Sequence, residues 1–343
     1  MANNKITTMN KEQRTINPKI IFIGTPDFSA IILETLCESK FKPILVITAP
    51  DKPVGRGQIL TPPPVKITAQ KYKIPILQPE KILPPTKNLV GGEILNLKPD
   101  LIIVAAYGQI LPKEILDIPK KGSLNVHPSL LPKYRGASPI QYAILNGEKK
   151  TGVTIILMDE KMDRGPILNQ RALEIEEDET STTLHQKLAE LGANLLMETI
   201  PRWMQGMIKS YPQDDAQATY TKILTREDGR INWEKTAKDL EREIRAFNHW
   251  PGSFTFWQKR DGTMVRIKIL KTRVFESTGG IAYPIGKTLV VPQSEIGIQC
   301  RRGFLREGGD FLVIERLQPE GKKEMGSEEF LRGYPDFIGT ILK

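Results

Sequence analysis

The chain has 343 residues, 39% of them hydrophobic and 26% charged, with a formal net charge of +9; it is too long for one typical core and suits two domains. No apolar run reaches the length of a membrane span, and the polar first eighteen residues lack the apolar stretch of a secretory signal. Two cysteines far apart, Cys37 and Cys300, make neither a metal cluster nor a disulfide framework, so a reducing cytoplasm fits best and a basic surface favours polyanionic partners, nucleic acid foremost.

Residues 1–18 are expected to form a disordered extension. From residue 19 to 208, short apolar strands alternate with helical segments. Residues 20–23 read as a first strand, 28–36 as a helix capped near Thr25 to Asp27, and 44–48 as a second strand. A Pro-rich loop ending in Pro62-Pro63-Pro64 leads to a helix at 65–72. Residues 101–106 are continuously apolar, as in a strand buried on both faces of a parallel sheet, and 122–126 read as the next strand. A helix at 139–146, a strand at 152–157 and a long amphipathic helix at 182–207 complete this part. The alternation argues a Rossmann-like, doubly wound, mostly parallel α/β sheet. Gly24-Thr25-Pro26-Asp27 stands where a dinucleotide-binding protein carries G-x-G-x-x-G; that fingerprint is absent, which argues against a nicotinamide dehydrogenase.

Residues 209–222 (KSYPQDDAQATYTK) are polar and short of apolar anchors, so they read as a linker. Beyond it, a helix at 237–247 carries Leu240, Ile244 and Phe247 on one face. Strands at 253–257, 265–274, 288–291 and 311–317, separated by Gly-rich turns, suggest a small OB-like β-barrel within a second domain, 223–343. Positive charge is spread over both parts of the chain, so a nucleic-acid partner is expected to touch both.

The most informative stretch is Asn125-Val126-His127-Pro128, followed at once by Ser129-Leu130-Leu131-Pro132-Lys133-Tyr134-Arg135-Gly136. Side chains alternate along a strand, so Asn125 and His127 project to one side, at the carboxyl end of a sheet where open α/β folds bind ligands. An amide can donate to a developing oxyanion, and an imidazole can move a proton near neutral pH. Asp163, in Met162-Asp163-Arg164-Gly165, follows the strand at 152–157 as a third candidate. Singly, each is better read as loop chemistry; the ordered pattern reverses that and makes them a site. Three histidines and two scattered cysteines offer no metal-ligand cluster, so no metal is expected.

That pattern resembles the signature of the folate-dependent formyltransferases, Asn-x-His, then Ser-Leu-Leu-Pro-x-x-Arg-Gly, then a downstream Asp. Four further segments look like the methionyl-tRNA formyltransferases in particular: residues 23–28 (IGTPDF), 50–57 (PDKPVGRG) with 64–66 (PVK), 228–233 (DGRINW) and 244–252 (IRAFNHWPG). The likeness covers nearly everything from Lys19 onward. It implies transfer of a formyl group from 10-formyltetrahydrofolate to the α-amino group of methionyl-initiator tRNA, supporting translation initiation. By the same resemblance, Asn125 and His127 are donors to the oxyanion, and Asp163 orients the imidazole and relays a proton. Ser129, Leu130, Leu131 and Pro132 would bind the folate. Tyr107 and Gly108 fall at the same sheet edge by position and would line that pocket with backbone groups, although Tyr107 reads equally well as core packing. Lys52, Gly55, Arg56 and Gly57 would form a flexible tRNA-contacting loop, and Arg135 would brace the catalytic loop or meet an anion. A sugar-nucleotide N-formyltransferase using the same folate donor is the alternative; such enzymes share the core but generally lack the Gly-Arg-Gly loop and the 244–252 segment. A monomer is expected, since no heptad or exposed apolar helix suggests a partner. One position departs from the family: Lys161 replaces the usual Gly two residues before the Asp, which would strain the turn if φ there is positive.

Overall fold

The computed structural model describes residues 17–55, 57–276, 283–292, 295–301 and 310–343. The expected N-terminal extension, up to residue 16, lies outside them. The chain divides into two compact units, one of residues 1–125 with 196–210 and one of residues 126–195 with 211–343. This division differs from the boundaries read from the sequence, and each unit is described in turn.

The first unit holds the strands β1 (Ile20–Gly24), β2 (Leu45–Ile47), β3 (Lys52–Val54), β4 (Ile59–Thr61), β5 (Ile76–Leu77), β6 (Leu101–Ala105) and β7 (Ser123–His127), whose last two residues belong to the second unit. Five of them pair in parallel, in the order β7-β6-β1-β2-β5. The reason is visible in the burial. Ile20, Ile21, Phe22 and Ile23 are all fully buried, and so are Leu101, Ile102 and Ile103, so both faces of these strands are covered. The helices are α1 (Asp27–Cys37), α2 (Pro64–Lys71), α3 (Leu89–Leu97) and α4 (Lys113–Leu116). Helix α2 opens on Pro64, where a missing N–H costs nothing. Helix α3 was not expected from sequence, because Gly91-Gly92 lowers helix propensity; the cap from Asn88 Oδ1 to Gly91 N–H (2.8 Å) and burial of Ile94 outweigh that.

The second unit adds β8 (Arg135–Gly136), α5 (Pro139–Leu145), β9 (Lys150–Leu157), β10 (Ile167–Glu174) and the start of α6 (Ser181–Met204), a helix that runs on across the division. Strands β9 and β10 form an antiparallel pair. Then come β11 (Tyr220–Thr221), α7 (Ala237–Ala246), β12 (Ser253–Gln258), β13 (Met264–Glu276), β14 (Thr288–Val291), β15 (Glu295–Gln299), β16 (Asp310–Pro319), β17 (Met325–Gly326) and α8 (Ser327–Gly333). Strands β12-β13-β16-β15-β14 make one curled antiparallel sheet, with β17 on β16.

The OB-like barrel expected from sequence takes the form of a half-barrel. Its two edge strands, β12 and β14, are joined by the tail of the chain. Lys343 and Phe256 exchange backbone hydrogen bonds (3.0 and 3.1 Å), while Thr288 N–H donates to Thr340 O (2.9 Å) and Leu342 N–H to Gly286 O (3.0 Å). Covering an edge in this way removes an open template for strand addition. Inside, Leu240 and Ile244 of α7 meet Ile267, Ile269 and Ile314. Trp257 is boxed by Phe330, Tyr334 and Phe337 at centroid distances of 6.2, 5.7 and 5.2 Å, all near edge-to-face.

Candidate active site

His127 ends β7 and is 4% exposed. Its Nε2 lies 3.0 Å from the carbonyl oxygen of Tyr134, which can only accept, so Nε2 carries a proton and donates. Nδ1 therefore faces Asp163, at 3.6 Å from Oδ1. In the neutral ring this nitrogen presents a lone pair to the carboxylate; a second proton there turns the contact into an ion pair. The other carboxylate oxygen, Oδ2, accepts the Gly136 N–H at 2.8 Å. Asn125, two residues before His127 on the same strand, is half-buried and shares its side of the strand.

Asp163 itself has φ +51°, a left-handed backbone that a non-glycine residue adopts at a cost. Lys161 is not among the positive-φ residues; its N–H is held by Asp159 Oδ1 at 2.9 Å in an ordinary Asx turn. The strain anticipated at Lys161 thus falls on the Asp instead. The turn closes against β9 at Gly165, where a Cβ would stand 1.9 Å from Leu157 O.

Residues 209–222, polar by composition, have a second use. Arg135 is 1% exposed, and its guanidinium is met by this segment: Gln213 Oε1 accepts from Nε (3.1 Å) and Nη2 (2.8 Å), Asp215 Oδ1 from Nη2 (2.9 Å), and Tyr220 Oη from Nη1 (3.2 Å). A buried guanidinium needs such partners, so Arg135 braces the loop. Hydrogen bonding to Arg135, with the nearby Arg164 charge, holds the Asp215 carboxyl below the usual carboxylate range; Arg164 Nη2 is 2.6 Å from Asp215 Oδ2. Further along, Thr219 accepts the Tyr134 N–H (2.8 Å, Oγ1) and the Arg135 N–H (2.9 Å, carbonyl), and β11 pairs in parallel with β8. The segment therefore fixes the two backbone groups that touch the reacting pair, the Tyr134 carbonyl and the Gly136 N–H. Sequence reading missed Tyr134, Gly136, Gln213 and Thr219. The one available signal was an Arg set among apolar and small residues of a loop, which must find acceptors somewhere once buried.

The stretch 129–132 is anchored from beneath. Thr154 Oγ1 donates to Ser129 O (2.6 Å) and accepts the Leu131 N–H (3.1 Å), and Gln170 Nε2 donates to Leu131 O (2.9 Å) and to Thr154 Oγ1 (2.8 Å). Ser129 and Leu131 are buried, and the Ser129 hydroxyl donates to Lys133 O at 2.6 Å; Leu130 and Pro132 are half-exposed. In the first unit, Tyr107 is 6% exposed, burial pushes its phenol up to about 12, and its hydroxyl has no hydrogen-bond partner among the described residues. Gly108 beside it is open: a Cβ added there would meet nothing within 4 Å.

The segment 52–61, expected as a flexible loop, is a β-hairpin of β3 and β4, with Lys52, Val54, Ile59 and Leu60 exposed. The β-branched residues Val54, Ile59 and Thr61 favour this pairing. Gly55 and Gly57 flank its tip, and Arg56 lies outside the described residues. Among the described residues, no group of three or more His, Cys, Asp or Glu could hold a metal ion, and no helix is long and apolar enough to cross a membrane.

Residues 18–200 match the Formyl transferase family and residues 223–335 match the Formyl transferase, C-terminal domain family. A methionyl-tRNA formyltransferase of Bacillus pumilus is 43% identical over 324 residues, covering 94% of this chain and 97% of that one. One from Halalkalibacterium halodurans is also 43% identical, over 94% and 98% of the two chains. Among solved structures, an N-formyltransferase of Helicobacter canadensis in complex with folinic acid and dTDP-3-aminofucose aligns with a TM-score of 0.60 at 21% identity, over 87% of this chain and 98% of that one. At that identity the likeness speaks for the fold alone.

Proposed function

The chain belongs to the formyl transferase family, and from that premise we propose that it transfers a formyl group from 10-formyltetrahydrofolate to the α-amino group of methionyl-initiator tRNA. The observation that carries the reading is the pairing of His127 with Asp163 at 3.6 Å, in a chain 43% identical to a methionyl-tRNA formyltransferase over 94% of its length. A cytoplasmic reaction and a monomeric chain are part of the same proposal, the first supported by two buried, unbridged cysteines.

The bound folate supplies an activated formyl group on nitrogen. The residues of the chain do the rest. An uncharged amine must attack the formyl carbon, whose oxygen gains negative charge. Asn125 donates its side-chain N–H to that oxygen, and His127, protonated on both nitrogens, adds positive charge from the same side of the strand. Each such donor is worth about 2.7–4 kcal/mol in comparable sites. Asp163 accepts the proton that the attacking amine loses. The Nδ1 proton of His127 passes to the leaving nitrogen, and Asp163 then returns the proton it took from the amine to Nδ1 across their 3.6 Å contact. Proton transfer of this kind gives about 10²–10⁴-fold.

The donor is assigned to two stretches. In one, Leu130 and Pro132 present half-exposed surface while Ser129 and Leu131 keep the loop rigid. In the other, exposed Gly108, beside the buried Tyr107, leaves room for a ring to approach. The tRNA is assigned to the β3–β4 hairpin, through Lys52, Arg56 and the flanking Gly55 and Gly57. The test offers purified protein 10-formyltetrahydrofolate with methionyl-initiator tRNA, methionyl-elongator tRNA or an amino-sugar nucleotide. Preference for initiator tRNA supports the proposal; preference for the sugar nucleotide overturns it.

A further inference from the structure

Asp163 carries a left-handed backbone, φ +51°, and something must hold it there. The side-chain amide of Gln213 meets that need. Its Nε2 donates to Asp163 O and to Gly165 O, both at 2.8 Å, while its Oε1 accepts twice from the buried guanidinium of Arg135. All four hydrogen-bonding positions of the amide are filled. The assignment of oxygen and nitrogen is forced, since a guanidinium only donates and carbonyls only accept. We infer that Gln213 is a positioning residue of the formyl-transfer site: it ties the Asp163 turn to Arg135 and so sets the separation between the Asp163 carboxylate and His127 Nδ1. The inference rests on the formyl-transfer reading and deepens it.

The geometry gives the role a clean handle. Gln213→Glu keeps an acceptor for Arg135, and strengthens that contact with charge, but it removes both N–H donors and sets a carboxylate against two carbonyl oxygens. The turn is then released while the brace on Arg135 remains. A displacement of about 1 Å at a reacting group costs on the order of 10²-fold in turnover, so kcat of Gln213→Glu falls by about 10- to 100-fold. KM for the folate and for methionyl-tRNA stays within about twofold, because neither substrate is bound by Gln213. The melting transition stays cooperative at a temperature a few degrees below wild type, and the pH profile of kcat changes shape, because the proton-accepting pair has moved. In an Asp163→Asn background the same Gln213→Glu change lowers the residual kcat no further, since a residue acting through Asp163 has nothing left to position.

Wild-type kcat in Gln213→Glu overturns the role. So does full multiplication of the two losses in the double variant, or loss of the melting transition in Gln213→Glu, which makes the amide a brace of the fold. A wild-type chain that transfers no formyl group to methionyl-tRNA overturns the function and the inference together; an active wild type with an indifferent Gln213→Glu overturns the inference alone.

Discussion

At the residue scale, His127 is tied down at one nitrogen and poised at the other. The Tyr134 carbonyl holds Nε2 and leaves Nδ1 toward Asp163, so the ring keeps its angle whether or not it carries the second proton. His127→Ala is expected to lower kcat by about 10²–10³-fold, the size of effect for a lost oxyanion donor, with tRNA affinity unchanged; quench-flow turnover and filter binding on the same protein separate the two. A change one atom in size tests the backbone side of the site. Gly136 has φ +110° and a Cβ there would stand 2.5 Å from Thr221 O, while its N–H holds Asp163. Gly136→Ala should cost about 1–3 kcal/mol of stability from strain alone, and turnover should drop beyond what that loss explains; thermal melts alongside kcat check both. Asp228 gives the pH case. Its carboxyl is pulled down to about 2, first by the side-chain hydrogen bond from Lys222 and then by the Thr225 N–H. A depressed carboxylate contributes stability that is present above its unfolded value and is lost as pH falls toward 2. Asp228→Asn should therefore melt below wild type at pH 6, with the gap narrowing below about pH 4 and closing only as pH falls to about 2. Asn125, His127 and Asp163 were legible because the chemistry restricts residue type and order. Gln213 and Thr219 were not, because they act through hydrogen bonds that only folding brings together, and polar residues in a row look like a tether.

At the element scale, the two-faced strands β1 and β6 were legible from unbroken apolar runs, since nothing but a covered parallel sheet buries such a run on both sides. Strand β10 was not: its outer half is exposed, so ILNQRALE carries no clear period. The segment 244–252 was legible as a signature but not in its purpose. Arg245 Nη1 donates to Glu179 O (2.8 Å), and Ser181 and Thr182 hydroxyls donate to Asn248 O and Oδ1 (2.8 and 2.9 Å), so the end of α7 grips the start of α6. Arg245 is itself held by Glu241, four residues earlier on the same helix. Arg245→Ala should cost about 1.5–3 kcal/mol, as hydrogen bonds to charged groups do, and hydrogen exchange should quicken at residues 179–183. Unchanged exchange there would make the contact incidental. The chain's last residues close the half-barrel in the same manner. Removing residues 340–343 takes Lys343 from Phe256 and the Thr340 carbonyl from the Thr288 N–H, and protection of β12 and β14 amides should fall while that of β1 and β6 stays.

At the scale of the whole molecule, the formal charge of +9 is the property the tRNA meets first. It was readable from composition, but composition cannot say which lysines and arginines touch phosphate. Many of the cations are already committed: Lys66, Lys187, Arg135, Arg164, Arg245 and Arg273 each pair with a carboxylate within the fold. The binding charge must come from those left facing solvent, such as exposed Lys52 on the β3–β4 hairpin, and Arg56 is proposed to add to it. Each phosphate neutralised releases counterions, with a slope of about −0.9 in log K against log salt for a duplex. Tight binding through several such contacts should weaken at least tenfold between roughly 50 and 200 mM salt, whereas kcat at saturating tRNA should hardly move, because the His127–Asp163 pair is shielded from solvent. Arg56→Ala should flatten the slope by about one unit and erode the preference for initiator over elongator tRNA, leaving slow transfer to a minimal methionyl acceptor intact. A slope and an initiator preference both at wild-type values in Arg56→Ala would remove the hairpin from the recognition surface and leave the second domain to carry it.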